Sequence, residues 1–312
     1  MSRSDAESKL GLNKGPGPGL RRLRVVVAYC GTPWRGWQAL AIGGGIQDEL
    51  SAAVLKATQA VTTVHGSGRT DAGVHALGQV AHMDVPVTLR MSDESWVKAV
   101  NACLPLSIRL VDVRAAEPPT FHSRYDAKGK VYRYRIWRAP QLSPFESDRV
   151  WHIHGPLDMA ALQTCLDSLV GTHNFVRLSA NRGDMPETQR RALPEKTTRT
   201  IHRAEMREDG DILELEFEGD GFLYKMVRLI VGSLILVARG RATVPWFQSL
   251  LTDATAPQSN QMAPAGGLYL TRVLYPEPAS LHEDRPDLLG KGTGCRPAMP
   301  SLDPLQADSA EG

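Results

Sequence analysis

The sequence predicts an α+β protein built as two ferredoxin-like halves, each with the order β-α-β-β-α-β and a mostly antiparallel sheet. Three observations lead to this. Segments with the two-residue period of strands and the 3.6-residue period of helices follow that order through residues 23–118. The same order returns with different sequence through residues 119–276. The flanks, 1–22 and 277–312, are polar, Gly/Pro-rich and without periodicity, and are expected to be a disordered N-terminal arm and a disordered acidic tail.

In the first half, Leu23 to Ala28 reads as a strand. A loop with Trp34, Trp37 and the glycines Gly43 to Gly45 leads to a helix from Gln47 to Thr58, whose apolar face holds Ile46, Leu50, Ala53, Val54 and Ala57. Thr62 to His65 and Val80 to Val85 are short strands flanking a Gly-rich loop. Ser92 caps a helix carrying Trp96, Val97 and Val100, and Ile108 to Val113 closes the half as a strand. In the second half Lys130 to Trp137 is a strand, and Asp158 caps a helix that runs to Val170 and stops at Gly171. Arg199 to Arg207 and Ile212 to Phe217 form a hairpin across Glu208-Asp209-Gly210. A long apolar helix from Phe222 to Ala238, a short one near Trp246 and a strand from Leu268 to Leu274 complete the chain.

Length and composition bound the function. The 312 residues suit two domains, and a 42% hydrophobic content supplies real cores. No apolar run approaches the roughly 20 residues a membrane helix needs, and the N-terminus lacks an apolar signal segment, so a soluble, cytoplasmic protein is expected. Cys30, Cys103, Cys165 and Cys295 form no C-x-x-C pair and are expected as reduced thiols. The net charge is +2, but residues 277–312 hold three basic and seven acidic residues, which leaves 33 basic against 27 acidic in the remainder. That mildly basic body permits a polyanionic partner without demanding one.

The stretch that invites chemistry is His65 to Val85, where four glycines bracket Arg69 and Asp71 on a shaped loop next to a strand. On residue types alone it is either a turn stitched by a surface ion pair or a reactive site, and it is neither a Walker A loop nor a dinucleotide fingerprint. His65, His75 and His82 lie close by, but with neither a helical H-x-x-x-H spacing nor a cysteine cluster, so no metal is expected. No G-x-S-x-G elbow is present, and no second carboxylate is marked as the acid of a glycosidase. In the strand from Lys130, parity places Lys130, Tyr132, Tyr134 and Ile136 on one face and Val131, Arg133, Arg135 and Trp137 on the other. Such interleaving fits either core tyrosines with solvated arginines, or aromatics that stack on bases beside cations that hold phosphates. Lys225 and Arg228, three apart, are expected on one face of the long helix.

The run G-R-T-D-A-G-V-H-A, Gly68 to Ala76, resembles the catalytic motif of the tRNA pseudouridine synthase A family. Four more stretches resemble that family in the same order: Tyr29 to Gln38, Phe121 to Tyr134, Gly219 to Leu234 and Ala263 to Leu270. The likeness covers roughly residues 23 to 276. It implies a pseudouridine synthase core with the active-site cleft between the halves, and an isomerase that converts uridine to pseudouridine at positions 38, 39 and 40 of the tRNA anticodon arm, working as a homodimer.

The resemblance also implies roles. Asp71 is the nucleophile, Arg69 fills the space the flipped base leaves, Tyr132 lies against the uracil, and Arg228 sits beside Asp71 and lowers its pKa. Lys130, Arg133 and Lys225 are the further substrate-binding candidates. The reaction breaks N1–C1′ and joins C5 to C1′ without redox change, so no cofactor is expected; attack at C1′, addition at C6 and a glycal route all remain open. Cys30 departs from the aspartate usual in that motif, and the segment Asn181 to Thr198, with Arg182, Arg190, Arg191 and Lys196, is longer than the family leads one to expect. That basic loop either touches the RNA stem or is a solvated insertion. Two other classes compete with the enzyme reading: a tRNA chaperone of the same fold, and a small-molecule glycosyl-transfer enzyme indifferent to salt.

Overall fold

The computed structural model describes residues 15–183, 186–253 and 258–276. The expected tail 277–312 and residues 1–14 of the expected arm lie outside that set. The first strand, β1 (Leu20–Tyr29), starts three residues earlier than the sequence indicates, inside the expected arm.

The first half runs β1, α1 (Ile46–Thr58), β2 (His65–Gly66), β3 (His75–Pro86), α2 (Asp93–Asn101) and β4 (Ile108–Ala115). The second half runs β5 (Gly129–Trp137), β6 (Trp151–His152), α3 (Met159–Leu169), β7 (Gly171–Asn174), α4 (Glu187–Ala192), α5 (Pro194–Thr197), β8 (Thr198–Asp209), β9 (Ile212–Gly219), α6 (Met226–Ala238), α7 (Val244–Thr252) and β10 (Leu268–Leu274). Without β6, β7, α4, α5 and α7, this is β-α-β-β-α-β twice. The α+β class and the element order agree with the sequence.

What periodicity does not convey is that the halves share one sheet. Its order is β4-β1-β3-β10-β5-β9-β8-β7, with β2 paired to β3 and β6 to β5. The seam is the parallel pair β3–β10, where Tyr269 lies opposite His75 and Leu270 opposite Ala76. On the other side β10 pairs antiparallel with β5, placing Leu270 opposite Tyr132. The start of β3, directly after the Gly-rich loop, is thus brought within two strands of Tyr132.

Helices supply the core against this sheet. α1 buries Ile46, Leu50, Ala53 and Val54, α2 buries Trp96 and Val100, and α3 buries Leu162, Cys165, Leu166 and Leu169. Each such aliphatic side chain contributes roughly 1.5–3 kcal/mol by leaving water. Ser92 and Asp158 accept from the backbone N–H groups of Ser95 and Ala161, so both expected caps are made. The long apolar helix is shorter than expected. Lys225 takes a left-handed conformation at φ +59°, and α6 begins only at Met226, so Lys225 and Arg228 do not share a helical face.

Candidate active site

The Gly-rich loop is held from three sides. Ser67 N donates to Val80 O at 2.8 Å, Gln79 Nε2 donates to Gly68 O at 2.8 Å, and Trp37 N donates to Thr70 O at 3.1 Å. The Thr70 and Tyr29 hydroxyls pair at 2.8 Å, and Lys130 Nζ donates to Ser67 O at 3.1 Å. Asp71 O then accepts from Val74 N at 3.1 Å, a turn for which Gly73 adopts φ +77°. Asp71 is therefore fixed by backbone geometry at the point where the loop enters β3.

Above the loop lies a cavity of about 360 Å³, the size range of ligand pockets. It is lined by the loop, by Lys130 and Tyr132 of β5, by Phe222 to Arg228 at the start of α6, and by Arg182. Among the described residues that line it, Asp71 is the one carboxylate, facing Arg69, Arg124, Lys130, Arg182, Lys225 and Arg228. Such a cation excess suits a polyanion. Phe222 packs edge-on against Tyr132 at 5.0 Å, and Tyr224 has the Arg182 guanidinium and the Lys225 ammonium each 5.0 Å from its ring centre.

The electrostatics differ from the expectation in one respect. Arg228 Nη1 lies 3.7 Å from Asp71 Oδ2, while Arg228 Nε donates to Ala263 O at 2.7 Å. Burial raises the Asp71 carboxyl above its usual value, and Arg228, Lys225 and Arg182 pull it back only in part. The net shift is upward, not downward, because desolvation outweighs a guanidinium too far away for a short hydrogen bond. Burial also pushes the Tyr132 phenol up, so its hydroxyl keeps its proton and is a donor near neutral pH. Lys130 is pulled down to about 8 by burial, with Arg124 and Arg182 adding to the effect.

Stretches far apart in the chain therefore converge on one polar cavity with a single partly desolvated carboxylate in its wall. A family model described as tRNA pseudouridine synthase matches residues 27–126 and 166–276. The chain belongs to the tRNA pseudouridine synthase family. It is 41% identical to a tRNA pseudouridine synthase A of Akkermansia muciniphila over 261 residues, 83% of this chain and 96% of that protein. It is 38% identical to the synthase A of Solidesulfovibrio magneticus, over 90% of this chain and 98% of that protein, and 38% identical to that of Geobacillus kaustophilus, over 84% and 97%.

Within this tRNA pseudouridine synthase family member, Asp71, Arg69, Tyr132, Arg228, Lys130 and Lys225 all line the cavity. Arg133 does not. As strand parity requires, it lies on the opposite face of β5, where it pairs with Glu216 at 3.1 Å and Glu214 at 3.5 Å. Arg190 is not part of a solvated surface. It is 6% exposed and donates to the Ser179 carbonyl at 3.1 Å and to the Ser179 hydroxyl, so it braces the 181–198 segment from within, while Arg182 of that segment reaches the cavity. Cys30, where the resembling motif carries aspartate, has its thiol drawn down to about 6 beside His75. His82 is buried against His65 and His122, with ring centres 5.0 and 4.6 Å away, and burial drops it to about 3, so it stays neutral. Phe222, Tyr224 and Gln38 carry no role in the sequence reading; the aromatics next to Lys225 are the one signal for the first two.

Proposed function

We propose that this chain isomerises uridine to pseudouridine at positions 38, 39 and 40 of the tRNA anticodon stem and loop, as a cytoplasmic homodimer whose two halves, 23–118 and 119–276, enclose the site. The observation that carries this reading is the placement of Asp71, alone among cations, in the wall of a cavity that Tyr132 also lines. Among the described residues no helix is long and apolar enough to cross a membrane.

The residues divide the work. A uridine inside a stem must leave it to meet Asp71, and the unstacking is offset when Arg69, which is exposed at the cavity mouth, takes the vacated place. Tyr132 then lies along the uracil, with its protonated hydroxyl able to donate to it. Asp71, ionised, engages the nucleoside at C1′, at C6 or through a glycal while the N1–C1′ bond breaks. The base turns within the cavity, C5 joins C1′, any bond that Asp71 made to C1′ or C6 breaks with its electron pair returning to the carboxylate, the C5 proton departs and N1 takes one up, so atoms and electrons balance without a cofactor. Arg228 keeps Asp71 charged against the pull of burial.

The test is tritium release from a tRNA transcript labelled at C5 of uridine, comparing the unaltered chain with Asp71→Asn. Release by the first, with tRNA binding but no release by the second, supports the reading. Binding without release by either protein replaces it with the chaperone.

A further inference from the structure

Arg69 is joined to a chain of side-chain amides that no part of the proposed reaction uses. Its Nε donates to Gln38 Oε1 at 2.8 Å. Gln38 Nε2 donates to Gln47 Oε1 at 3.1 Å, and that oxygen also accepts from Ala39 N at 3.0 Å. Gln47 Nε2 donates to Val64 O at 2.9 Å. From these bonds, we infer that Gln38 is the positioning residue of Arg69, and that Gln47 holds the Gln38 amide the right way round for it.

The direction of the chain is dictated by its far end. Val64 O can only accept and Ala39 N–H can only donate, so Gln47 must turn its nitrogen to the first and its oxygen to the second. Gln47 then presents an acceptor to Gln38, which must answer with its nitrogen. Gln38 is left with its oxygen toward Arg69, and a flipped amide would set two donors against each other there. The order is thus imposed by two backbone groups, one at the entry to β2 and one in the loop that leads to α1. Gln38 itself cannot drift, because its neighbour Trp37 is 3% exposed and hydrogen-bonded to Thr70 of the loop.

The effect on Arg69 is selective. Only Nε is engaged; among the described residues the terminal nitrogens of this exposed side chain meet no protein partner. The guanidinium is held in plane and aimed, while its outer edge stays available to the RNA. An unrestrained arginine would have to be ordered at the moment of base extrusion, at an entropic cost. The inference rests on the reading of Arg69 as the group that replaces the extruded base.

The experiment places 2-aminopurine next to the target uridine, so that fluorescence reports extrusion, and follows tritium release in the same single-turnover reactions. Gln38→Ala, Arg69→Ala and the double variant are compared with the unaltered chain. Gln38→Ala is expected to slow extrusion about tenfold, the scale of one hydrogen bond to a charged group, with tRNA Kd changed less than about threefold. In the Arg69→Ala background the same change is expected to cost nothing further, since residues that act through one another are non-additive. Gln38→Glu still offers an oxygen to Nε but sets its second oxygen against Gln47 Oε1, so it should recover the rate only in part, and thermal melts of every variant control for folding. If Arg69→Ala slows extrusion but Gln38→Ala does not, or slows it equally in both backgrounds, the inference alone falls. If Arg69→Ala leaves extrusion unchanged, the reading of Arg69 falls and takes the inference with it.

Discussion

Asp71 Oδ2 and Arg228 Nη1 stand 3.7 Å apart, while Arg228 gives its Nε to the Ala263 carbonyl. The guanidinium is tied to the backbone and acts on the carboxylate through space. Because burial raises the Asp71 pKa and Arg228 is the largest opposing influence, the acid limb of activity should lie above the ordinary carboxylate range. The sign follows from the need for an ionised group: as pH falls through the raised pKa, Asp71 gains a proton and activity is lost. Arg228→Gln removes the largest lowering influence, so its acid limb should move to higher pH still. Single-turnover pH profiles of both proteins check this, and an unmoved limb would show that Arg228 does not act on Asp71.

Lys130 offers a second pH test on the alkaline side. Its pKa is depressed from 10.5 to about 8, so the half-buried ammonium loses its charge as pH rises through about 8. Affinity for tRNA should weaken across that step, since a cation in the cavity is lost. In Lys130→Met the affinity should be lower at neutral pH and flat through the same range. A wild-type affinity that does not change there would count against the charge of Lys130 as a binding contribution.

The 181–198 segment separates two arginines by role. Arg182→Ala should lower the slope of log affinity against log salt by about 1, with the melting temperature unchanged. Arg190→Ala should do the reverse, leaving the slope alone and destabilising the fold by roughly 1–3 kcal/mol, because a buried donor to Ser179 is removed. Thermal melts and salt titrations of the two variants decide it, and exchanged phenotypes would overturn the assignment.

Gly232 faces the Gln261 carbonyl so closely that a Cβ would collide with backbone. Gly232→Ala should therefore push α6 away from residues 261–263, where Arg228 finds the Ala263 carbonyl. A loss of roughly 1–3 kcal/mol is expected, with activity falling alongside. Chemical denaturation gives the first quantity and tritium release the second; a variant as stable as the parent would show that the helix can yield there.

The element order, the inward face of α1, the caps at Ser92 and Asp158 and the loop bearing Asp71 are all legible in the sequence. These depend on periods and spacings within a few residues, where backbone geometry leaves few choices. Strand parity places Tyr132 and Arg133 on opposite faces, yet the reading of Arg133 as a substrate-binding group does not follow that parity, and the structure pairs Arg133 with Glu214 and Glu216 instead. Three features are visible only in the folded chain: β3 and β10 run parallel at the seam of one sheet, Lys225 turns left-handed before α6, and Arg190 is buried. Only the tertiary structure orders Arg69, Gln38 and Gln47 into one chain. The sign of the Asp71 shift belongs to the same group. It is the difference between desolvation, set by how deeply the whole fold buries the carboxylate, and Coulomb attraction, set by a distance to a residue 157 positions away in the chain. Neither depth nor distance is a local property, and their balance exists only once the chain has closed around the site.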